Sequence, residues 1–243
     1  MRRKWTLTPF LILISLSSIF VTTKGVLADD VDRRLFLLSS ILLINDPHCE
    51  HIECPLKWER NVRMGVLGEV SKYIAEEILF NAKEVQRDIG NKIEFSSVPN
   101  FIFIGVKKSD AMKVYREDTI INGAFLSLDD KIKFLSNFSS VEAPCTSHVA
   151  VNIGITGAII IFDVLSDNVK ISRCLRKNFF IALGALGRPP RDVDSILSGS
   201  GDYGGDLTQI DHAALALLYD SRMPVSATTK QAMNRAREII QTR

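Results

Sequence analysis

The chain has 243 residues, 46% of them hydrophobic, and a formal net charge of +2. Four basic residues and no acid lie before residue 29 (Arg2, Arg3, Lys4 and Lys24), so removing them from +2 leaves −2 on the rest. The remainder has no Lys/Arg stripe interleaved with aromatics and no charge block or repeat, which excludes the usual nucleic-acid footprint and leaves no nucleic acid among the expected partners.

In chain order, Met1 to Lys4 is a basic head and Trp5 to Val21 an apolar run. Val26 and Ala28 then stand at the −3 and −1 positions of a cleavage site. This pattern predicts a signal peptide over 1–28. Asp29 follows it, where a lipoprotein would need cysteine. Residues 29–243 are then long enough for one domain with a substantial core. No membrane span is expected after cleavage, because Val149 to Leu165 is interrupted by Asn152, two glycines and Asp163. The expected location is the periplasm or outside the cell.

Val31 to Asn45 reads as a docking helix and His48 to Pro55 as a cysteine-bearing loop. Trp58 to Gly68 alternates Val62, Met64 and Val66, which predicts a strand. A helix follows, with Val70, Ile74, Ile78, Val85 and Ile89 on one stripe and Gly90 as its stop. Ile93 to Val98 and Phe101 to Val106 are short β-rich runs, and Asp129 to Asn137 is a short helix. His148 to Phe162 carries the strongest β signal, as two strands or one bent at its glycines. Ile171 to Leu186 is a helix burying Ile171, Leu175, Phe179, Ala182 and Leu186, ended by Gly187-Arg188-Pro189-Pro190. After a Gly/Ser/Asp loop over Ser198 to Asp206, Thr208 and Asp211 form a capping box for a helix to Tyr219. Ser226 or Thr228 caps a last helix to about Ile240. Strands followed by helices, with one early strand-helix-strand unit, make an α+β layout.

The four cysteines, Cys49, Cys54, Cys145 and Cys174, all follow the signal, and an even count in an oxidising compartment favours disulfides. Cys145 precedes the main β run and Cys174 lies early in the next helix, so a Cys145–Cys174 bond is expected to clip helix to sheet. It would close a loop of about 30 residues, worth roughly 3 kcal/mol in the chain-entropy model. Cys49 and Cys54 would be left to pair locally. His48 and His51 stand three apart with no second cluster, so disulfide chemistry is favoured over a metal site in that loop.

Three segments carry a resemblance: Cys174 to Gly187 (CLRKNFFIALGALG), Asp194 to Gly205 (DSILSGSGDYGG) and Leu207 to Met223 (LTQIDHAALALLYDSRM). They resemble the C-terminal half of a metzincin-type zinc peptidase. Ala182-Leu183-Gly184 follows the active-site helix turn, Ser195-Ile196-Leu197 matches a Ser-Ile-Met turn, and Leu207-Thr208 through Asp211 to Leu218-Tyr219 matches the next helix. The chain is similar as well to domain of unknown function 2927, a family of exported bacterial proteins, through Leu218-Tyr219-Asp220-Ser221-Arg222. The resemblance implies a zincin-like, mixed twisted sheet with packed helices and a C-terminal helical part.

It does not carry the chemistry with it. A zinc peptidase of this kind needs two His one helical turn apart with a Glu between them. The corresponding slot is Lys177-Asn178-Phe179-Phe180-Ile181. A protonated Lys177 repels zinc, Ile181 has no ligand atom, and Leu197 replaces the turn methionine. No catalytic residue, metal or cofactor is therefore expected. The expected function is a non-catalytic zincin-like domain binding a protein, peptide or envelope component. The alternatives are a hydrolase using Lys177 with a nearby carboxylate, or a purely structural envelope protein. His148 and His212 are expected to be structural.

Overall fold

The structure, a computed structural model, describes residues 30–42, 55–90, 93–113, 128–151, 154–198, 205–225 and 227–242. The expected signal peptide, Cys49, Cys54, His48 and His51 lie outside the described residues.

The chain enters through helix α1 (30–42), which buries Leu35, Leu38, Ile41 and Leu42. Strand β1 (Val62–Gly68) leads into helix α2 (Lys72–Ile89), capped by the Ser71 side chain and stopped by Gly90 in the left-handed region. Its buried stripe contains Ile74, Ile78, Val85 and Ile89, four of the five apolar positions that the periodicity selects. Strands β2 (Ile93–Phe95) and β3 (Phe101–Val106) complete the strand-helix-strand unit. Helix α3 (Leu128–Ser140) follows. The strong β run then divides into β4 (Cys145–Val151) and β5 (Ile155–Asp163), an antiparallel pair.

The molecule is α+β, with a five-stranded mixed sheet of order β2-β1-β3-β5-β4. Every neighbouring pair is parallel except β4–β5, so the reversed strand lies at an edge. Alternation along the central strands divides the core in two. Ile102, Ile104, Ile159 and Ile161 pack with Phe134, Leu135 and Phe138 of α3. Phe101, Phe103, Ala158, Ile160 and Phe162 belong to the larger core on the other face, which also takes residues of α1, α2 and the helices after β5. Both faces of β3 and β5 are covered, which is why these strands read as unbroken apolar runs.

Helix α4 (Asn168–Ala182) starts three residues earlier than the periodicity indicates, because the Asp167 carboxylate accepts from the N–H groups of Val169 and Lys170. It also ends earlier, at Ala182 rather than Leu186. Gly184 takes a φ of 107°, and a Cβ there would lie 2.0 Å from the Leu56 carbonyl oxygen. Gly187 serves a different purpose: its N–H donates to the Ile41 carbonyl at 2.8 Å, bringing the chain against the end of α1. Helix α5 (Gln209–Leu218) begins with the expected Thr208/Asp211 capping box, and α6 (Thr229–Gln241) is capped by Thr228 with Gln231. None of the helices among the described residues is long and apolar enough to cross a membrane.

Candidate functional site

The slot on α4 is held from three directions. Below it, Phe179 packs against Phe101 and Phe103 of the sheet at centroid distances of 5.2 and 5.9 Å. At the end of the helix, Trp58 Nε1 donates to the Ala182 carbonyl at 2.9 Å, and the Tyr219 hydroxyl donates to the Leu183 carbonyl at 2.9 Å. The same hydroxyl accepts from the Trp58 backbone N–H at 3.2 Å. Burial pushes the Tyr219 phenol far above its ordinary range, so it remains a neutral donor. The third constraint is the Cys145–Cys174 disulfide, with Cα atoms 5.9 Å apart, which ties α4 to edge strand β4 as expected.

Within the slot, Phe179 and Phe180 are buried while Lys177, Asn178 and Ile181 are half-buried. Asn178 stands where the resemblance would place the glutamate between two histidines, and its amide is already committed. Its Oδ1 accepts from Ser147 Oγ on β4 at 2.6 Å. Its Nδ2 donates to the Cys174 carbonyl at 2.9 Å and approaches Cys145 Sγ at 3.2 Å and Cys174 Sγ at 3.5 Å. A neutral amide engaged in this way has no proton-accepting capacity near neutral pH, so it cannot replace a carboxylate base. Among the described residues Lys177 has no ion pair, whereas neighbouring Arg176 pairs with Glu77 at 3.3 Å and with Asp206. Among the described residues, no carboxylate pairs with Lys177 as the hydrolase alternative calls for.

The Ser195-Ile196-Leu197 turn is organised by Asp211, which is fully buried. Its carboxylate accepts from Ser195 Oγ at 2.6 Å, the Ile196 N–H at 2.9 Å and the Thr208 N–H at 3.0 Å. Sequence reasoning identified Asp211 only as half of a capping box. The order Ser-Ile-Leu, then Thr-x-x-Asp, is the signal that was present for the wider role, but only the fold brings the two segments together.

The Leu-Tyr-Asp-x-Arg segment closes on itself. Arg222 makes a two-pronged contact with Asp220, at 2.9 Å from Nε to Oδ1 and 2.9 Å from Nη2 to Oδ2, and reaches Thr242 Oγ1 at 2.8 Å. Buried Lys57 donates to the Met223 carbonyl at 2.8 Å. Burial lowers its pKa, and Asp220 and Glu59 partly oppose the shift.

Neither described histidine belongs to the slot. His148, on β4, lies 5.8 Å from the Phe134 ring of α3 in a tilted pair, and burial lowers its pKa against the pull of Asp130. His212, on α5, lies between two carboxylates of α2: Asp88 at 2.6 Å from Nδ1 and Glu84 at 3.6 Å from Nε2. Opposite ring nitrogens hold them apart, so the three do not converge on one point. Among the described residues, no group of three or more His, Cys, Asp or Glu is arranged to hold a metal ion. Three cavities lie among α1, α5, α6 and the segments beside them, and none of these is lined by Lys177, Asn178 or Ile181.

On the far side of the slot, β4 has β5 as its one strand neighbour among the described residues. A scan against protein-family models finds no matching family, and searches of the curated proteins and of the solved structures find no match.

Proposed function

We propose that this is an exported, non-catalytic zincin-like domain that binds an extended segment of a protein, peptide or envelope component along β4. One observation carries the reading: in the slot where the resemblance calls for the catalytic base, Asn178 has its amide bonded to Ser147, Cys174 and the disulfide sulfurs. The position contributes to joining helix and edge strand rather than to proton transfer. The mixed sheet with its reversed edge strand, the Asp211-anchored turn and the α5 capping box are in keeping with a zincin-like scaffold. A chain added at a sheet edge gains main-chain hydrogen bonds, with alternate side chains setting specificity.

The test uses two proline variants at adjacent positions on β4, His148→Pro and Val149→Pro. Backbone N–H groups alternate between the two edges of a strand, so one proline removes a donor to β5 and the other removes an outward donor. Partners are first captured with the wild-type protein from the export compartment. The expected result is that the variant that keeps wild-type stability loses the captured partner. Retention of the partner by that stable variant would overturn β4 as the binding edge.

A further inference from the structure

We propose that a groove between α1, α5 and α6 binds a single-chain amphiphile with a zwitterionic head group. This site lies apart from β4 and does not depend on the reading above. The groove has a volume of about 310 Å³, and its walls are largely aliphatic, among them Leu37, Leu38, Ile210, Leu217 and Ile239. That size falls at the lower end of small-ligand sites, which are typically concave, mostly apolar and about 300–1,000 Å³. Ala213 also lines the groove and is exposed, so a short side chain leaves the wall open on the α5 side.

A second cavity of about 360 Å³ shares Leu37, Gln209 and Ile210 with the groove and adds Arg33, Asp192 and Asp194. These three charges are exposed, and among the described residues none of them forms an ion pair, with one another or elsewhere. Opposite charges that line one cavity without meeting leave a gap that a ligand carrying both signs can span. An aliphatic tail fits the first cavity and a phosphate-plus-ammonium head the second: phosphate toward Arg33, ammonium toward Asp192 and Asp194. A fatty acid would leave the two aspartates facing its carboxylate, and a simple alkylammonium would face Arg33.

Isothermal titration of the full chain with alkylphosphocholines of increasing tail length, below their micelle concentrations, tests this. Each added methylene should tighten binding about fourfold while the groove fills. Dodecanoate and dodecyltrimethylammonium should bind at least tenfold more weakly than dodecylphosphocholine. Ala213→Trp fills the groove from its exposed side and should abolish the chain-length dependence. Arg33→Glu, a surface change that spares the core, should weaken dodecylphosphocholine while leaving thermal stability unchanged. Affinity independent of tail length, equal binding of all three head groups, or full binding by Ala213→Trp would overturn the proposal. So would a concentration-dependent dimer in sedimentation that Ala213→Trp dissociates, because the groove would then belong to a second copy of the chain.

Discussion

Removing the Cys145–Cys174 bond gives a result that can be worked from the structure. The bond spans 29 residues of sequence. In the chain-entropy model a loop of that size restrains the unfolded state by about 3–4 kcal/mol. Both cysteines are almost fully buried, so Cys145→Ala/Cys174→Ala also sacrifices packing and leaves Asn178 Nδ2 with only the Cys174 carbonyl of its present partners. For a protein of this size each kcal/mol is worth about 2–4 °C in Tm, so a loss of about 6–16 °C is expected. Differential scanning calorimetry of the double variant beside the wild type measures it, with Ser147→Ala as a control for the Asn178 contact alone. A fall of less than about 2 °C would refute the reasoning, because the bond would then not be restraining the chain.

Two other expectations concern buried polar groups. Asp211→Ala removes the acceptor shared by Ser195, Ile196 and Thr208 and should cost about 3 kcal/mol or more in urea unfolding, because hydrogen bonds to charged groups contribute about 1.5–3 kcal/mol each. Asp211→Asn should cost less. For His148 the folded pKa is lowered by burial, so below the ordinary imidazole value of about 6.5 the unfolded chain holds more protons than the folded one. Stability should therefore fall as pH drops from about 7.5 toward 5, and His148→Gln should flatten that slope in thermal melts; an unchanged slope would contradict the assignment.

The parts legible in the sequence were those governed by short-range rules. The Ile74–Ile89 stripe, the Thr208/Asp211 box and the Cys145–Cys174 pairing all appear where periodicity, capping chemistry and chain position put them. The end of α4 was not legible: Gly187 and the prolines look like the stop, but the helix ends at Ala182, with Gly184 in the left-handed region where the Leu56 carbonyl leaves no room for a Cβ. Asn178 could be recognised as a poor ligand from its identity, but not as the residue that ties α4 to β4, because that needs Ser147 Oγ and two sulfurs brought together by the fold. His212 appeared as an ordinary helix histidine for the same reason: Asp88 and Glu84 are more than a hundred residues away in sequence. The groove beside α1 had no sequence signal at all, since aliphatic residues lining a cavity and those filling a core follow one pattern.

Metal content tests most directly the proposal that the Lys177–Ile181 turn is an emptied catalytic slot. Catalytic zinc requires three protein ligands and an open position, whereas this turn presents a lysine, a committed amide and an aliphatic side chain. Elemental analysis of the protein purified without chelator should give zinc far below one per chain, unchanged in Lys177→Ala and Ile181→Ala. Stoichiometric zinc that is lost in either variant would contradict the account, whereas zinc lost only in Cys49→Ser or Cys54→Ser would place a structural site in the cysteine loop and leave the slot empty.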